Sequence, residues 1–315
     1  VRTVFLGTSD FAAAILKHLA EADRGETCER PEAHSPEVGR HRPALVITRP
    51  DRPAGRGRKL TAPPVADVAR TLGLELFQPE SVNDSDAREL LANLAPDAVI
   101  VCAFGALVKE PLLSAYDMLN VHPSLLPRWR GAAPIERAIM AGDEHTGVSI
   151  MRLCAGLDSG PVCLAQSEPI AAHDTFGSLA LRLEQTGGEL LLCALDALER
   201  DELAFAQQDE RLVTYAEKIV AHDRLLDPGK PAVELERLVR ALHPHIGARV
   251  VLPDGTLLGV QRAALALDPP TGVGVYASEG RLLFGCAVGT LELLVVQPPG
   301  RRPMEAVAYL RGHAG

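Results

Sequence analysis

The chain has 315 residues, 47% hydrophobic and 23% charged, with a formal net charge of −9 at pH 7. That length favours two domains, and the composition is that of an ordinary globular protein, which excludes disorder as the main state. The acidic balance excludes non-specific nucleic-acid binding by the whole surface, and no apolar run approaches the roughly 18 residues of a membrane span.

Thr3–Leu6 reads as a buried strand rather than the start of a signal segment. The turn Gly7-Thr8-Ser9-Asp10 follows, with Ser9 or Asp10 as N-cap of a helix through Phe11, Ile15, Leu16 and Leu19. Glu26–Arg42 is rich in Pro, Glu, Arg and His without periodicity, and is expected to be a surface loop or disordered insertion. Ala44–Thr48 reads as a second strand, followed by the Pro/Gly/Arg stretch Arg49–Lys59 and helices from Pro64 to Leu72 and over Asp84–Leu94. Asp97–Ala103 is a continuous apolar run, the mark of a strand buried on both faces of a parallel sheet. Leu119–Val121 is a further short strand and Ala133–Ala141 a helix, with strands at Val148–Leu153 and Val162–Gln166. Phe176–Leu198 is predicted helical with an interruption at Gly187-Gly188. Strands alternating with helices imply an α/β domain, Rossmann-like, with a mainly parallel sheet.

After Arg200 the pattern changes. Residues 206–228 read as an ordered connector and Ala232–Leu242 as a helix. Five short strands follow at regular spacing: Arg249–Leu252, Leu257–Ala263, Val273–Tyr276, Arg281–Gly285 and Thr290–Gln297. This predicts a small OB-like β-barrel closed by a helix from Pro303 to Arg311. The expected division is therefore 1–205, a linker at 206–228, and 229–315. From Gly229 to Gly315 there are 9 Lys/Arg and 7 Asp/Glu, net +2, so the rest carries −11 and the C-terminal part is the less acidic.

The six cysteines (Cys28, Cys102, Cys154, Cys163, Cys193, Cys286) form no C-x-x-C pair and are expected to be incidental thiols rather than zinc ligands. Such sparse use suits a reducing cytoplasm. His34, His41, His145, His173, His222, His243, His245 and His313 show no ligand spacing, and G-x-G-x-x-G is absent.

The sharpest chemical signal is Asn120-Val121-His122-Pro123-Ser124-Leu125-Leu126-Pro127. Side chains two apart on a strand share a face, so Asn120 and His122 emerge together where ligands sit in open α/β sheets. An Asn amide donates to a developing oxyanion, and His moves protons near neutral pH. Gly156-Leu157-Asp158-Ser159-Gly160 either folds Asp158 back to His122, orienting and stabilising its ring, or is plain turn chemistry. A second signal is Arg49–Lys59, five cations and one anion in eleven residues, which suits phosphate binding or a solvated basic loop. Arg128-Trp129-Arg130-Gly131 adds the chain's only Trp, where packing is the first expectation. Thr214-Tyr215-Ala216-Glu217-Lys218 reads as a packed connector.

Taken together, Asn120, His122, Ser124-Leu125-Leu126-Pro127, Arg130-Gly131, Pro134-Ile135 and Leu157-Asp158-Ser159-Gly160 resemble the signature of the folate-dependent formyltransferases. Similarity to the members that act on methionyl-tRNA extends through Phe5-Leu6-Gly7-Thr8, Pro50–Gly57, Val213–Ile219 and Gln297–Met304. The resemblance implies formyl transfer from 10-formyltetrahydrofolate, as co-substrate, to the amino group of methionine on initiator tRNA. Asn120, His122 and Asp158 fall on the family's catalytic positions, and Ser124, Leu125, Leu126 and Pro127 on its folate-binding loop. Arg52, Arg56, Arg58 and Lys59 fall on a tRNA-contacting insertion, and residues from about 229 on a tRNA-binding domain. No metal is implied, and a cytoplasmic monomer is expected. Three features depart from the family: the length of Glu26–Arg42, His243-Pro244-His245-Ile246 where an Asn-Pro-Trp-Pro run is usual, and the small net charge of +2 on the C-terminal domain, a less emphatic RNA surface than the family implies. Competing readings are the same chemistry on another amine, hydrolysis of the formyl folate, a non-catalytic tRNA-binding protein, and, last, a nicotinamide-linked oxidoreductase.

Overall fold

A computed structural model describes residues 1–22, 41–54, 57, 59–267 and 269–313. The insertion Glu26–Arg42 falls outside these apart from His41 and Arg42, and so do Arg56 and Arg58. In chain order come β1 (Thr3–Gly7), α1 (Asp10–Glu21), β2 (Leu45–Ile47), β3 (Arg52–Ala54), β4 (Lys59–Thr61), α2 (Pro64–Thr71) and β5 (Leu76–Phe77). Next are α3 (Ser85–Leu94), β6 (Ala98–Cys102), α4 (Leu112–Ala115), β7 (Met118–His122), β8 (Arg130–Gly131) and α5 (Pro134–Ala141). Then follow β9 (His145–Arg152), β10 (Val162–Pro169), α6 (Phe176–Glu199), β11 (Tyr215–Ala216) and α7 (Ala232–Leu242). The chain ends with β12 (Ala248–Val251), β13 (Leu257–Ala266), β14 (Gly274–Ser278), β15 (Arg281–Gly285), β16 (Thr290–Gln297), β17 (Met304–Glu305) and α8 (Ala306–His313).

These elements form two compact units. The first comprises Val1–Arg130, Gly147–Glu168 and Arg182–Thr214, and the second Gly131–Thr146, Pro169–Leu181 and Tyr215–Gly315.

The first unit is built on a seven-stranded sheet in the order β10-β9-β7-β6-β1-β2-β5. β1 pairs in parallel with both β2 and β6, β6 with β7, and β2 with β5, while β7 meets β9 antiparallel. The chain runs outward from β1 to β2 and β5, then returns to lay β6 and β7 on the other side. Strand order therefore reverses between β1 and β6, the crevice position at which α/β sheets bind ligands. Val4, Phe5 and Leu6 of β1 and Val99, Ile100 and Val101 of β6 are buried on both faces, as the continuous apolar runs predict.

Helix α1 is capped by Ser9, whose Oγ accepts from the Ala12 N–H at 3.3 Å. Helix α6 corrects the sequence reading: it runs unbroken through Gly187 and Gly188. The glycines there serve close packing. A Cβ on Gly187 would lie 3.1 Å from Ile15 and 3.3 Å from Val121, and one on Gly188 2.4 Å from the His18 ring. The stretch Arg49–Lys59 also holds more order than expected, since β3 and β4 pair antiparallel through Arg52↔Thr61 and Ala54↔Lys59.

In the second unit, α7 buries Ala232, Leu235, Val239 and Leu242, one stripe at helical spacing, in a core shared with Leu258, Val260, Leu282, Phe284, Leu291 and Leu293. Its antiparallel sheet runs β12-β13-β16-β15-β14, with β17 also on β16, and curls as a half-barrel. β13 carries bulges around Arg262, which bend it. The His243–Ile246 departure has a local explanation: His245 stacks on Phe176 at 3.7 Å between ring centroids and bonds the Glu136 carboxylate at 2.9 Å. Among the described residues, no helix is long and apolar enough to cross a membrane.

Candidate active site

The site lies in the first unit, at the carboxyl end of β7. That strand is Met118-Leu119-Asn120-Val121-His122, buried at every position. It runs one residue further than its apolar pattern, so His122 closes the strand. β6 and β9 flank it, with Asn120 opposite Val101 on one side and Met151 on the other, and His122 opposite Ser149. Val121 points to the α6 side, within reach of a Cβ on Gly187. Alternation therefore puts Asn120 and His122 together on the other face.

Beyond His122 the chain is tied down by local bonds. Ser124 N–H donates to the His122 carbonyl at 2.9 Å, and Arg128 N–H to that of Leu125 at 3.0 Å. Ser124 is fully buried and its hydroxyl donates to the Arg128 carbonyl at 2.6 Å, so that side chain stitches the loop. Ser149, also fully buried, donates to the Ser124 carbonyl and accepts from Leu126 N–H. Leu125 reaches across to β9, where only a glycine at 147 leaves room for its Cδ2. The expected folate-loop residues Ser124, Leu125, Leu126 and Pro127 thus form one braced turn, with the last three only partly buried.

His122 is 5% exposed and meets two partners. Its Nε2 lies 2.9 Å from the Trp129 carbonyl, which can only accept, so Nε2 carries a proton. Its Nδ1 faces Asp158, 3.8 Å from Oδ2. That is longer than a hydrogen bond and close enough for a carboxylate to stabilise a proton arriving on Nδ1. Asn120 is 7% exposed, and its carboxamide makes no hydrogen bond with a described residue. The carboxamide is not sealed from solvent, so a substrate atom can reach its N–H.

The Leu157–Gly160 turn does fold back to His122. Asp158 adopts the left-handed region at φ 44°, and Gly160 is needed because a Cβ there would lie 1.8 Å from the Arg152 carbonyl oxygen. Trp129 is left-handed too, at φ 63°, with the Arg128 guanidinium 4.4 Å from its ring centroid. For L-residues that conformation costs about 1–2 kcal/mol. Both partners of His122 are therefore held in strained backbone.

Three polar residues to which sequence reasoning gave no site role complete the surroundings: Ser149, Gln208 and Thr214. Gln208 Nε2 donates to the carbonyls of Asp158 (2.8 Å) and Gly160 (2.7 Å). Thr214 Oγ1 accepts from Trp129 N–H at 2.9 Å. A serine inside the mainly apolar Val148–Met151 was a signal for the first and the Val213–Ile219 similarity one for Thr214; nothing local marks Gln208.

The basic stretch is described only in part. Arg52 is exposed on β3 and pairs with Glu80 at 3.0 Å, and Lys59 is exposed on β4. Burial pushes the thiol of Cys163 up to about 11 and those of Cys102 and Cys286 upward as well, which makes these three poor nucleophiles. One grouping among the described residues has metal-ligand geometry: His41, Asp196 and Glu199 place donor atoms within 4.8 Å of one another. His41 Nε2 and Asp196 Oδ1 already bond directly at 2.8 Å. Residues 155 apart give no spacing signal.

Comparison with known proteins bears on this geometry. The family model described as "Formyl transferase" matches residues 2–195, and "Formyl transferase, C-terminal domain" matches 218–314. The chain is 42% identical over 319 residues to a protein of Methylococcus capsulatus named methionyl-tRNA formyltransferase, covering 100% of this chain and 97% of that protein. It is 43% identical over 317 residues to the protein of the same name from Acidithiobacillus ferrooxidans, covering 99% and 96%. Among solved structures, HypX from Aquifex aeolicus in complex with tetrahydrofolic acid matches with TM-score 0.63 and 16% identity over 98% of this chain. The chain spans 46% of the length of HypX. WlaRD, a sugar 3N-formyl transferase, matches with TM-score 0.62 and 13% identity over 96% of this chain and 99% of its own. At those identities the likeness is one of fold.

Proposed function

From the premise that the chain belongs to the formyl transferase family, we propose that it transfers the formyl group of 10-formyltetrahydrofolate to the amino group of methionyl initiator tRNA. The observation that carries this reading is identity of 42–43% along essentially the whole chain to relatives named for that reaction. Its product, N-formylmethionyl-tRNA, serves translation initiation, and the cytoplasm is the compartment we assign to it.

The folate supplies the formyl group as a co-substrate, and the site's own residues supply the rest. Asn120, whose buried carboxamide has no partner among the described residues, donates an N–H to the carbonyl oxygen as it gains negative charge. His122, with Nε2 committed to Trp129, takes the proton lost by the attacking amine on Nδ1. Asp158, facing that nitrogen, stabilises the imidazolium until the proton passes to the departing folate nitrogen. Ser124, Leu125, Leu126 and Pro127 form the folate loop, with the Ser124 hydroxyl spent on bracing the turn through the Arg128 carbonyl. Arg52, Arg56, Arg58 and Lys59 neutralise tRNA phosphates, residues 1–205 carry the chemistry, and 229–315 contribute tRNA binding.

The test is incubation with 10-formyltetrahydrofolate and methionyl initiator tRNA, with N-formylmethionine on the tRNA as readout. His122→Ala is expected to lose about 10²–10⁴-fold in turnover. Full turnover by a folded His122→Ala protein rejects the assignment of His122. Folate turnover without tRNA formylation redirects the reading to another amine or to water.

A further inference from the structure

Both left-handed residues that touch His122 are held by one remote stretch of chain, residues 206–214, which the sequence presents as a connector running into the family-like Val213–Ile219. Ala206 bridges to Val162 through two main-chain bonds, Ala206 N–H to the Val162 carbonyl (2.8 Å) and Val162 N–H to that of Ala206 (2.9 Å). From that anchor the stretch passes over the site. Gln208 clasps the Asp158 turn through two carbonyls, and its own Oε1 accepts from Arg130 Nε at 2.9 Å, which fixes the carboxamide's orientation. Arg130 is 3% exposed and completes its pairing with the Glu210 carboxylate at 2.8 Å, whose pKa that bond holds below the usual range. Thr214 makes three bonds to the loop after β7. Its hydroxyl accepts from Trp129 N–H, its own N–H donates to the Pro127 carbonyl (3.3 Å), and its carbonyl accepts from Arg130 N–H (2.9 Å).

Strained backbone persists only where surrounding structure over-determines it. Trp129 and Asp158 each receive such a restraint from this stretch, beside other contacts such as Cys154 Sγ to Ser159 Oγ in the Asp158 turn. Resting on the catalytic reading above, we propose that Thr214 and Gln208 are positioning residues. Thr214 holds Trp129 so that its carbonyl takes the Nε2 proton of His122 and leaves Nδ1 as the working nitrogen. Gln208 holds the turn that aims Asp158 at that same Nδ1. The stretch 206–214 is thus a strap that fixes the tautomer of His122 and the aim of its carboxylate partner. Neither residue touches the reacting atoms.

Thr214→Val keeps the shape and removes the acceptor; Thr214→Ser restores it; Gln208→Met keeps the length and removes both donors. Thr214→Val and Gln208→Met are each expected to lower kcat about tenfold to a hundredfold, with KM for the folate and for the tRNA changed less than about twofold. Thr214→Ser is expected to recover most of the loss. An independent readout needs no catalysis: in long-range 1H–15N spectra of histidine-labelled protein at alkaline pH, His122, identified by its loss in His122→Ala, should show a protonated Nε2 and a bare Nδ1. Thr214→Val should convert this to a tautomer mixture. A wild-type ring protonated on Nδ1 overturns the proposal without any variant. Wild-type kcat in both Thr214→Val and Gln208→Met, or a loss in Thr214→Val that Thr214→Ser does not repair, overturns it equally. Failure of the formyl-transfer reading shows separately, as wild-type protein that formylates no tRNA while the tautomer result stands.

Discussion

The carboxyl end of β7 in the first unit and the core beneath the curled sheet of the second bury opposite kinds of side chain. Around β7 the buried residues include Asn120, His122, Ser124, Arg130 and Ser149, each below 9% exposed. In the second unit the packed interior is mainly Leu235, Val239, Leu258, Val260, Phe284, Leu291 and Leu293, side chains that need no partner beyond van der Waals contact, although the buried Thr290 hydroxyl among them has none. Apolar burial stabilises by itself, at about 25 cal/mol per Å². Polar burial does so only where donors and acceptors are answered, and the Asn120 carboxamide has no partner among the described residues. The first region therefore gives up stability to hold groups ready, whereas the second supplies a scaffold.

If that contrast is right, substitutions should separate stability from turnover in opposite senses. Phe284→Ala removes a large side chain that is 2% exposed and should cost about 3–5 kcal/mol in urea unfolding. Turnover per folded molecule should stay near wild type, and a selective loss of kcat in this variant would erase the distinction. Asn120→Leu is the counterpart. It should lower kcat about 10²–10³-fold, the usual effect of losing one oxyanion donor, while the unfolding midpoint holds or rises. A midpoint that falls with the activity would mean the amide is a structural group.

The same contrast explains what was legible in the chain. The parallel strands announced themselves because burial on both faces writes continuous apolar runs, as at Val4–Leu6 and Val99–Val101. Asn120 and His122 were readable because they sit two apart at a strand end, and Asp158 because glycines frame it. Their lesson stops at contiguous residues. Gln208 reaches the Asp158 carbonyl from 50 positions away and Thr214 reaches Trp129 from 85, distances at which polar residues leave no pattern. Gly187-Gly188 misled for a related reason. In sequence a glycine pair signals a break, yet here the absent side chains admit Ile15, Val121 and His18 against α6, a tertiary demand that overrides local propensity.

That glycine pair yields a smaller test of how tightly the first unit is packed. A Cβ at Gly188 would lie 2.4 Å from the His18 ring, so Gly188→Ala should cost about 1–3 kcal/mol through overpacking, despite alanine's higher helix propensity. In a His18→Ala background the clash is gone, and the same substitution should stabilise by about 1 kcal/mol. A double-mutant cycle that finds no coupling between the two positions would place the demand for glycine elsewhere.

The smallest effect concerns a half-buried acid that the proposed chemistry does not use. Glu184 on α6 is pushed up to about 7, first by burial and then by the charge of Asp10. In the unfolded chain a glutamate titrates near ~4.3. Between those values the folded chain holds a proton that the unfolded chain has released. The protonated carboxyl therefore contributes stability that is fully present below the unfolded value and is lost as pH rises through about 7. Glu184→Gln stays neutral throughout, so it should match wild type near about pH 4 and exceed it near about pH 8. Solvent screening at a partly exposed site trims the full linkage value, which leaves about 1 kcal/mol to be read as a difference in urea midpoints. A gain of the same size at both pH values would trace to packing of the amide rather than to a charge the first unit holds at a cost.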